Sequence, residues 1–146
     1  MQAVTKPNRS RLLLYLFLAY TLLIAYASLS PFTGWRVPAG NVLHFLTVWP
    51  RYITRHDVFI NILAYFPLGF LAAVCLHHWR DHETTIMLVV IAAAAGAALS
   101  LGMETLQVFI PGRVAALPDL LTNTAGSLAG AILARPCWLL CYRKSY

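Results

Sequence analysis

The sequence predicts an all-α polytopic membrane protein: a bundle of four transmembrane helices, with an interfacial segment between helices one and two. Two observations carry this reading. Hydrophobic residues make up 60% of the 146-residue chain and charged residues only 11%, whereas a water-soluble domain covers itself with about 25% charged residues. The chain also contains four long apolar stretches, and crossing about 30 Å of hydrocarbon takes roughly 20 helical residues. Such stretches must be helical, because lipid offers no partner to a backbone N–H or C=O. The length suits a single domain spanning the chain. No internal repeat, low-complexity tract or long linker divides it.

The first stretch, Leu12 to Ser30, follows Lys6, Arg9 and Arg11. Its basic start and Ala25-Tyr26-Ala27 end imitate a cleaved secretory signal. The apolar run is long for a signal, and the chain beyond it is itself membrane-bound, so a retained span is expected. The second stretch runs from Val58 to Leu76, where Pro67 and Gly69 should kink or loosen the helix. The third runs from Ile86 to Ile110 and stops at Pro111-Gly112; the fourth runs from Leu120 to Tyr142. Between the first two spans lie Trp35, Trp49 and Tyr52 with Arg36, Arg51 and Arg55. Amphipathic aromatics favour the headgroup level, so Asn41 to Trp49 is expected to lie in the interface plane.

The net charge of +6 does not mark a nucleic-acid partner, because the basic residues stand singly between apolar runs rather than on one patch. They set topology instead. Lys6, Arg9, Arg11, Arg80, Arg143 and Lys144 fall on one side, against Arg36, Arg51, Arg55 and Arg113 on the other. The excess places both termini in the cytoplasm.

With that orientation, Asp57, Asn61, Glu104, Gln107, Arg113, Asp119 and Asn123 all reach the outer face. Asp57, Asn61 and Tyr65 are spaced by four, as are Asp119 and Asn123, while Glu104 and Gln107 are spaced by three; residues so spaced share a helix face. Ala92, Gly96 and Ser100 form a small-residue stripe below Glu104, and Gly126 with Gly130 forms a G-x-x-x-G below Asn123. Small residues let membrane helices approach closely, so helices three and four are expected to pack on each other. Glu104 needs a partner, and Arg113 is the nearest cation in sequence. A Glu104–Arg113 pair is expected, with Asp119 competing for the guanidinium, while Asp57 is placed to cap helix two. As polar glue the cluster is costly, and ionisable groups in a span default to functional sites.

No metal or other cofactor is expected. His77, His78 and His82 could converge with Cys137 and Cys141, but the spacing matches no metal pattern. Together with Cys75, the cysteines form no disulfide framework. His44 and His56 belong to no recognisable constellation, and no hydrolase or kinase motif is present. These absences point away from an enzyme.

The run Glu104-Thr-Leu-Gln107-Val-Phe-Ile-Pro111-Gly112-Arg113, followed by Asp119-Leu-Leu-Thr-Asn123 and Gly126…Gly130, resembles the signature of the VanZ-like membrane proteins. Asp57…Asn61…Tyr65-Phe-Pro67-Leu-Gly69 resembles the family's second-helix motif. The resemblance covers Tyr15 to about Leu133. One departure is Ala116, three residues after the arginine, where the family often has serine or aspartate. The resemblance implies a multi-pass protein of the bacterial inner membrane, related to teicoplanin resistance proteins. The expected role is a non-enzymatic envelope protein, embedded in the lipid bilayer, whose polar cluster meets an amphiphilic ligand and lowers susceptibility to glycopeptide antibiotics. Two alternatives stay open. One is an enzyme acting on a lipid-linked precursor, with Glu104 or Asp119 as general acid or base. The other is a small transport or assembly subunit, oligomeric through its G-x-x-x-G surface.

Overall fold

A computed structural model describes residues 7–79 and 85–142, with side chains for 11–77 and 86–134. The described residues form four helices and no strand: α1 (Pro7–Leu29), α2 (Arg55–Trp79), α3 (Thr85–Gln107) and α4 (Leu117–Tyr142). Three of them contain stretches long and apolar enough to cross a membrane: Arg11–Leu29, Arg55–His77 and Ile86–Gln107. The expected interfacial segment contains one 3-10 turn, His44–Leu46, with Phe45 buried. Asn41 Oδ1 shapes its entry by accepting the Leu43 N–H.

Burial is inverted relative to a water-soluble bundle. The described core is rich in alanine, with Ile24, Leu68, Leu88 and Ile110 as its larger aliphatics, whereas Leu12, Leu22, Phe59, Leu63, Ile86 and Val90 are exposed. A soluble monomer rarely presents so much contiguous apolar surface. Close approach through small residues is how helices associate where lipid removes the hydrophobic drive between them.

α2, α3 and α4 meet in four layers, each with one residue from each helix. The first is Asn61, Glu104 and Asp119. The second is Tyr65, Ser100 and Asn123. The third is Gly69, Gly96 and Ser127, and the fourth is Ala73, Ala92 and Ala131. Each step is four residues along every helix, which is about 6 Å of rise. The numbering shows that α2 and α4 run one way and α3 the other. Polarity falls from carboxylates, through hydroxyl and amide groups, to glycine and alanine.

Two sequence expectations change here. The Gly126/Gly130 face packs on α2, not α3: a Cβ on Gly126 would meet the Ile62 backbone, and one on Gly130 the Phe66 carbonyl. α3 instead meets α4 through Ser100 with Asn123, and through Gly96 and the Ala92 carbonyl with Ser127. The reason is register: the four-residue repeat from Asp119 runs through Asn123 to Ser127, and the glycines lie on a neighbouring stripe. α2 runs as one helix through Pro67, and Gly69 admits the Ser127 backbone. Second, Asp57 does not cap α2. Thr54 does, its hydroxyl accepting the Asp57 N–H at 3.1 Å, because the helix starts at Arg55. That leaves Asp57 in the first turn, where an acidic side chain suits the helix dipole.

α4 is 26 residues long but is not among the three apolar stretches. It packs against both α2 and α3. A helix sheathed by neighbours can carry an aspartate, an asparagine and a serine that lipid would reject. α1 is more peripheral, attached by the Tyr20 hydroxyl to the Ala64 carbonyl and by Ile24 against Tyr65 and Leu68.

Candidate functional site

The site is built at the end of the bundle where α1 and α3 finish and α2 and α4 begin. Its hinge is the turn Ile110-Pro111-Gly112-Arg113. The Arg113 N–H bonds the Ile110 carbonyl at 3.2 Å, and Gly112 has φ +86°. Proline at the second position and a positive-φ glycine at the third make a type II turn, which a side chain on the third residue would strain. The turn aims Arg113 back at α1. Its Nε donates to the Ser30 carbonyl, and Nη2 to the carbonyls of Ala27 and Ser30, at 2.8–3.1 Å. Gln107 Nε2 donates to the Ser28 carbonyl and, at 2.7 Å, to the Ser28 hydroxyl. The last carbonyls of a helix lack internal partners and carry partial negative charge. Arg113 and Gln107 therefore cap α1 from another part of the chain.

Glu104 caps the next helix. It is 3% exposed, and its Oε2 accepts the Ala116 N–H at 2.9 Å. Ala116 is the N-cap of α4, since its carbonyl takes the Leu120 N–H. In a capping box the third residue of the helix reaches back to this N–H. Here the third residue is Asp119, whose Oδ1 instead accepts the Asn61 amide at 2.8 Å, and Glu104 substitutes from α3. The expected Glu104–Arg113 pair is therefore corrected. The carboxylate serves α4 and the guanidinium serves α1, and Asp119 does not hold the guanidinium either. Among the described residues neither Glu104 nor Asp119 forms an ion pair.

Below them, Asn123 Nδ2 donates to Ser100 Oγ at 2.9 Å. The Tyr65 hydroxyl interacts with Ser100. Glu104, Asp119, Asn61 and Asn123 are thus gathered, with Gln107 and Arg113 at the edge facing α1. Asp57 lies apart. Its side chain is 57% exposed and 4.0 Å from His56 Nδ1. His44 and His56 are exposed and bond nothing in the cluster. The expected His/Cys group lies partly outside the described residues: His82 is beyond them, as are the side chains of His78, Cys137 and Cys141.

Sequence reading did not single out Ser28, Thr54 or Ser127. Ser127 was within reach, as the next four-residue step after Asp119 and Asn123. Ser28 carried no such signal, because its role depends on where a distant turn folds back.

The Ala116 side chain offers no acceptor to the first-turn N–H groups of α4. Ala116→Ser is expected to raise stability by about 1 kcal/mol. Thermal melting in detergent checks this, and a variant that melts no higher than wild type refutes the cap assignment.

The model of the VanZ/LLP1 family matches residues 12–140. No curated protein matches the chain, and no solved structure does. The match takes in all of α2 and α3 and most of α1 and α4. With its three span-length apolar helices, the chain is a membrane protein that belongs to the VanZ/LLP1 family.

Proposed function

We propose that the chain is a single integral domain of the bacterial cell membrane. In this reading α4 spans with the other three helices, both termini are cytoplasmic, and the polar end stands at the outer headgroup level. There the cluster of Asn61, Glu104, Asp119 and Asn123, edged by Gln107 and Arg113, meets the polar part of an amphiphilic molecule. The consequence for the cell would be lower susceptibility to lipid-bearing glycopeptides such as teicoplanin. The observation that carries the reading is the pair of carboxylates, Glu104 and Asp119, gathered at one level without an ion-pair partner among the described residues. Holding the Ala116 N–H requires only a neutral acceptor, and ionisable groups in a membrane bundle mark sites.

Glu104→Gln separates the two roles, because a glutamine carbonyl still accepts the Ala116 N–H while the charge is gone. Expression of wild type in a sensitive host is expected to raise the inhibitory concentration of teicoplanin several-fold. The variant, at matched membrane levels, should give back most of that protection. Equal protection by both proteins would rule out a functional charge at Glu104. No protection by wild type would remove the resistance role altogether.

The same carboxylates favour a second reading. Two acids sharing a site is an arrangement used in general acid–base catalysis, and the substrate would be a lipid-linked envelope precursor. Lipid extracts that change on expression of wild type but not of Glu104→Gln would support it; unchanged extracts would remove it. An assembly role through the Gly126/Gly130 face loses its support, since α2 occupies that face.

A further inference from the structure

The second layer holds an atom that neither capping nor packing explains. Asn123 is 5% exposed and its Nδ2 is committed to Ser100, but its Oδ1 is buried without a hydrogen-bond partner. Native proteins rarely leave such an oxygen unsatisfied. One helical turn above stand Glu104, 3% exposed and holding the Ala116 N–H at the start of α4, and the half-buried Asp119 of that first turn, both outside any ion pair among the described residues. The remaining side chains of the second layer, Tyr65 and Ser100, present hydroxyls. The two neighbouring layers thus both carry oxygen groups, and buried carboxylates are normally paired or bound to metal.

We propose that a hard metal cation binds between the first and second layers. Glu104 and Asp119 supply its charge partners, and Asn123 Oδ1 supplies a neutral ligand. Calcium fits best. Its charge of about +2 balances the two carboxylates, and it accepts roughly 6–8 carboxylate, amide and hydroxyl oxygens in flexible geometry, whereas magnesium demands a near-ideal octahedron. The Asn61 amide on Asp119 Oδ1 would then orient a ligand from outside the coordination sphere, as supporting partners do in metal sites. The ion would also join α3 and α4 directly, and α2 through Asn61, at their most polar level. It requires no amphiphile above it, so the proposal stands apart from the reading of the cluster as a ligand site.

The test is thermal melting of the purified full chain in detergent. Choline chloride fixes the ionic strength while calcium chloride is titrated in. Wild type should show a saturable rise in melting temperature of roughly 5 °C or more. Glu104→Gln, which keeps an acceptor for Ala116, should lose most of that rise. Asn123→Asp adds a third carboxylate; it should melt below wild type without calcium and gain more from it. This second variant decides the matter if Glu104→Gln does not fold. A wild type indifferent to calcium would leave the amide oxygen to a water molecule and overturn the site. So would an equal rise with sodium chloride at the same ionic strength, or a rise retained in Glu104→Gln. Because the experiment contains no antibiotic or lipid precursor, its failure leaves the susceptibility test untouched.

Discussion

Gly130→Ile is expected to be the most damaging single change outside the polar cluster, lowering stability by more than about 3 kcal/mol. A Cβ at Gly130 would run into the Phe66 carbonyl and come within 2.9 Å of the Phe70 nitrogen. These are backbone atoms of α2, so no rotamer change relieves the clash and the helices must separate. Separation reaches every layer, because the same approach holds Ser127 against Gly69 and Asp119 on Asn61. Gly102→Ala is the matched control: nothing lies within 4 Å of a Cβ there. Removing a helical glycine should then raise stability by about 0.5–1 kcal/mol. Thermal melts in detergent, followed by tryptophan fluorescence, check both. If Gly130→Ile melted like wild type, the α2–α4 contact described above would be wrong.

This contrast shows what could be read from the sequence and what could not. The apolar run lengths are a local property, and they gave the number and approximate positions of the helices. Helix starts were displaced because the apolar run marks where lipid contact begins, not where the backbone turns. Thus α2 opens at Arg55 on the Thr54 hydroxyl, before the apolar residues start. Pairing of helices was less legible. Gly126 and Gly130 announce a close approach but carry no address, and only three-dimensional register assigns them to α2.

The polar residues repeat that lesson at the site. Their shared level followed from helix direction and depth, and Glu104, Asp119, Asn61 and Asn123 do come together. Their partners did not follow, because the strongest competitors were backbone groups, which every sequence contains and none advertises. Ala116 offers an N–H that outcompetes Arg113 for Glu104. The departure at Ala116 takes on a physical meaning once α4 is seen to start beside it. A serine or aspartate there could accept a first-turn N–H with its own side chain, whereas the alanine methyl offers no acceptor and the only side chain at this cap among the described residues is Glu104, on the Ala116 N–H.

Arg113→Met is expected to loosen the end of α1 and cost about 2–3 kcal/mol, the scale of lost hydrogen bonds to a charged donor. The guanidinium makes three contacts with the carbonyls of Ala27 and Ser30, at a helix end whose last turn has no basic residue of its own. Methionine keeps the length of the side chain and removes both the donors and the charge opposing the helix dipole. Lysine keeps the charge but not the fork, so Arg113→Lys should fall between the two. The readout must be local, because α1 is peripheral and the layers joining α2, α3 and α4 do not include it. A cysteine at exposed Tyr26, reacted with a water-soluble maleimide in membranes, should be labelled faster in Arg113→Met than in wild type. Melting of the rest of the bundle should move less than it does for Gly130→Ile. Unchanged labelling would mean that Gln107 on Ser28 suffices to hold α1, leaving the Arg113 side chain free for a ligand. A faster reaction, with the polar layers intact, would make Arg113 a structural clasp. Any loss of protection in that variant would then have to be read through the position of α1.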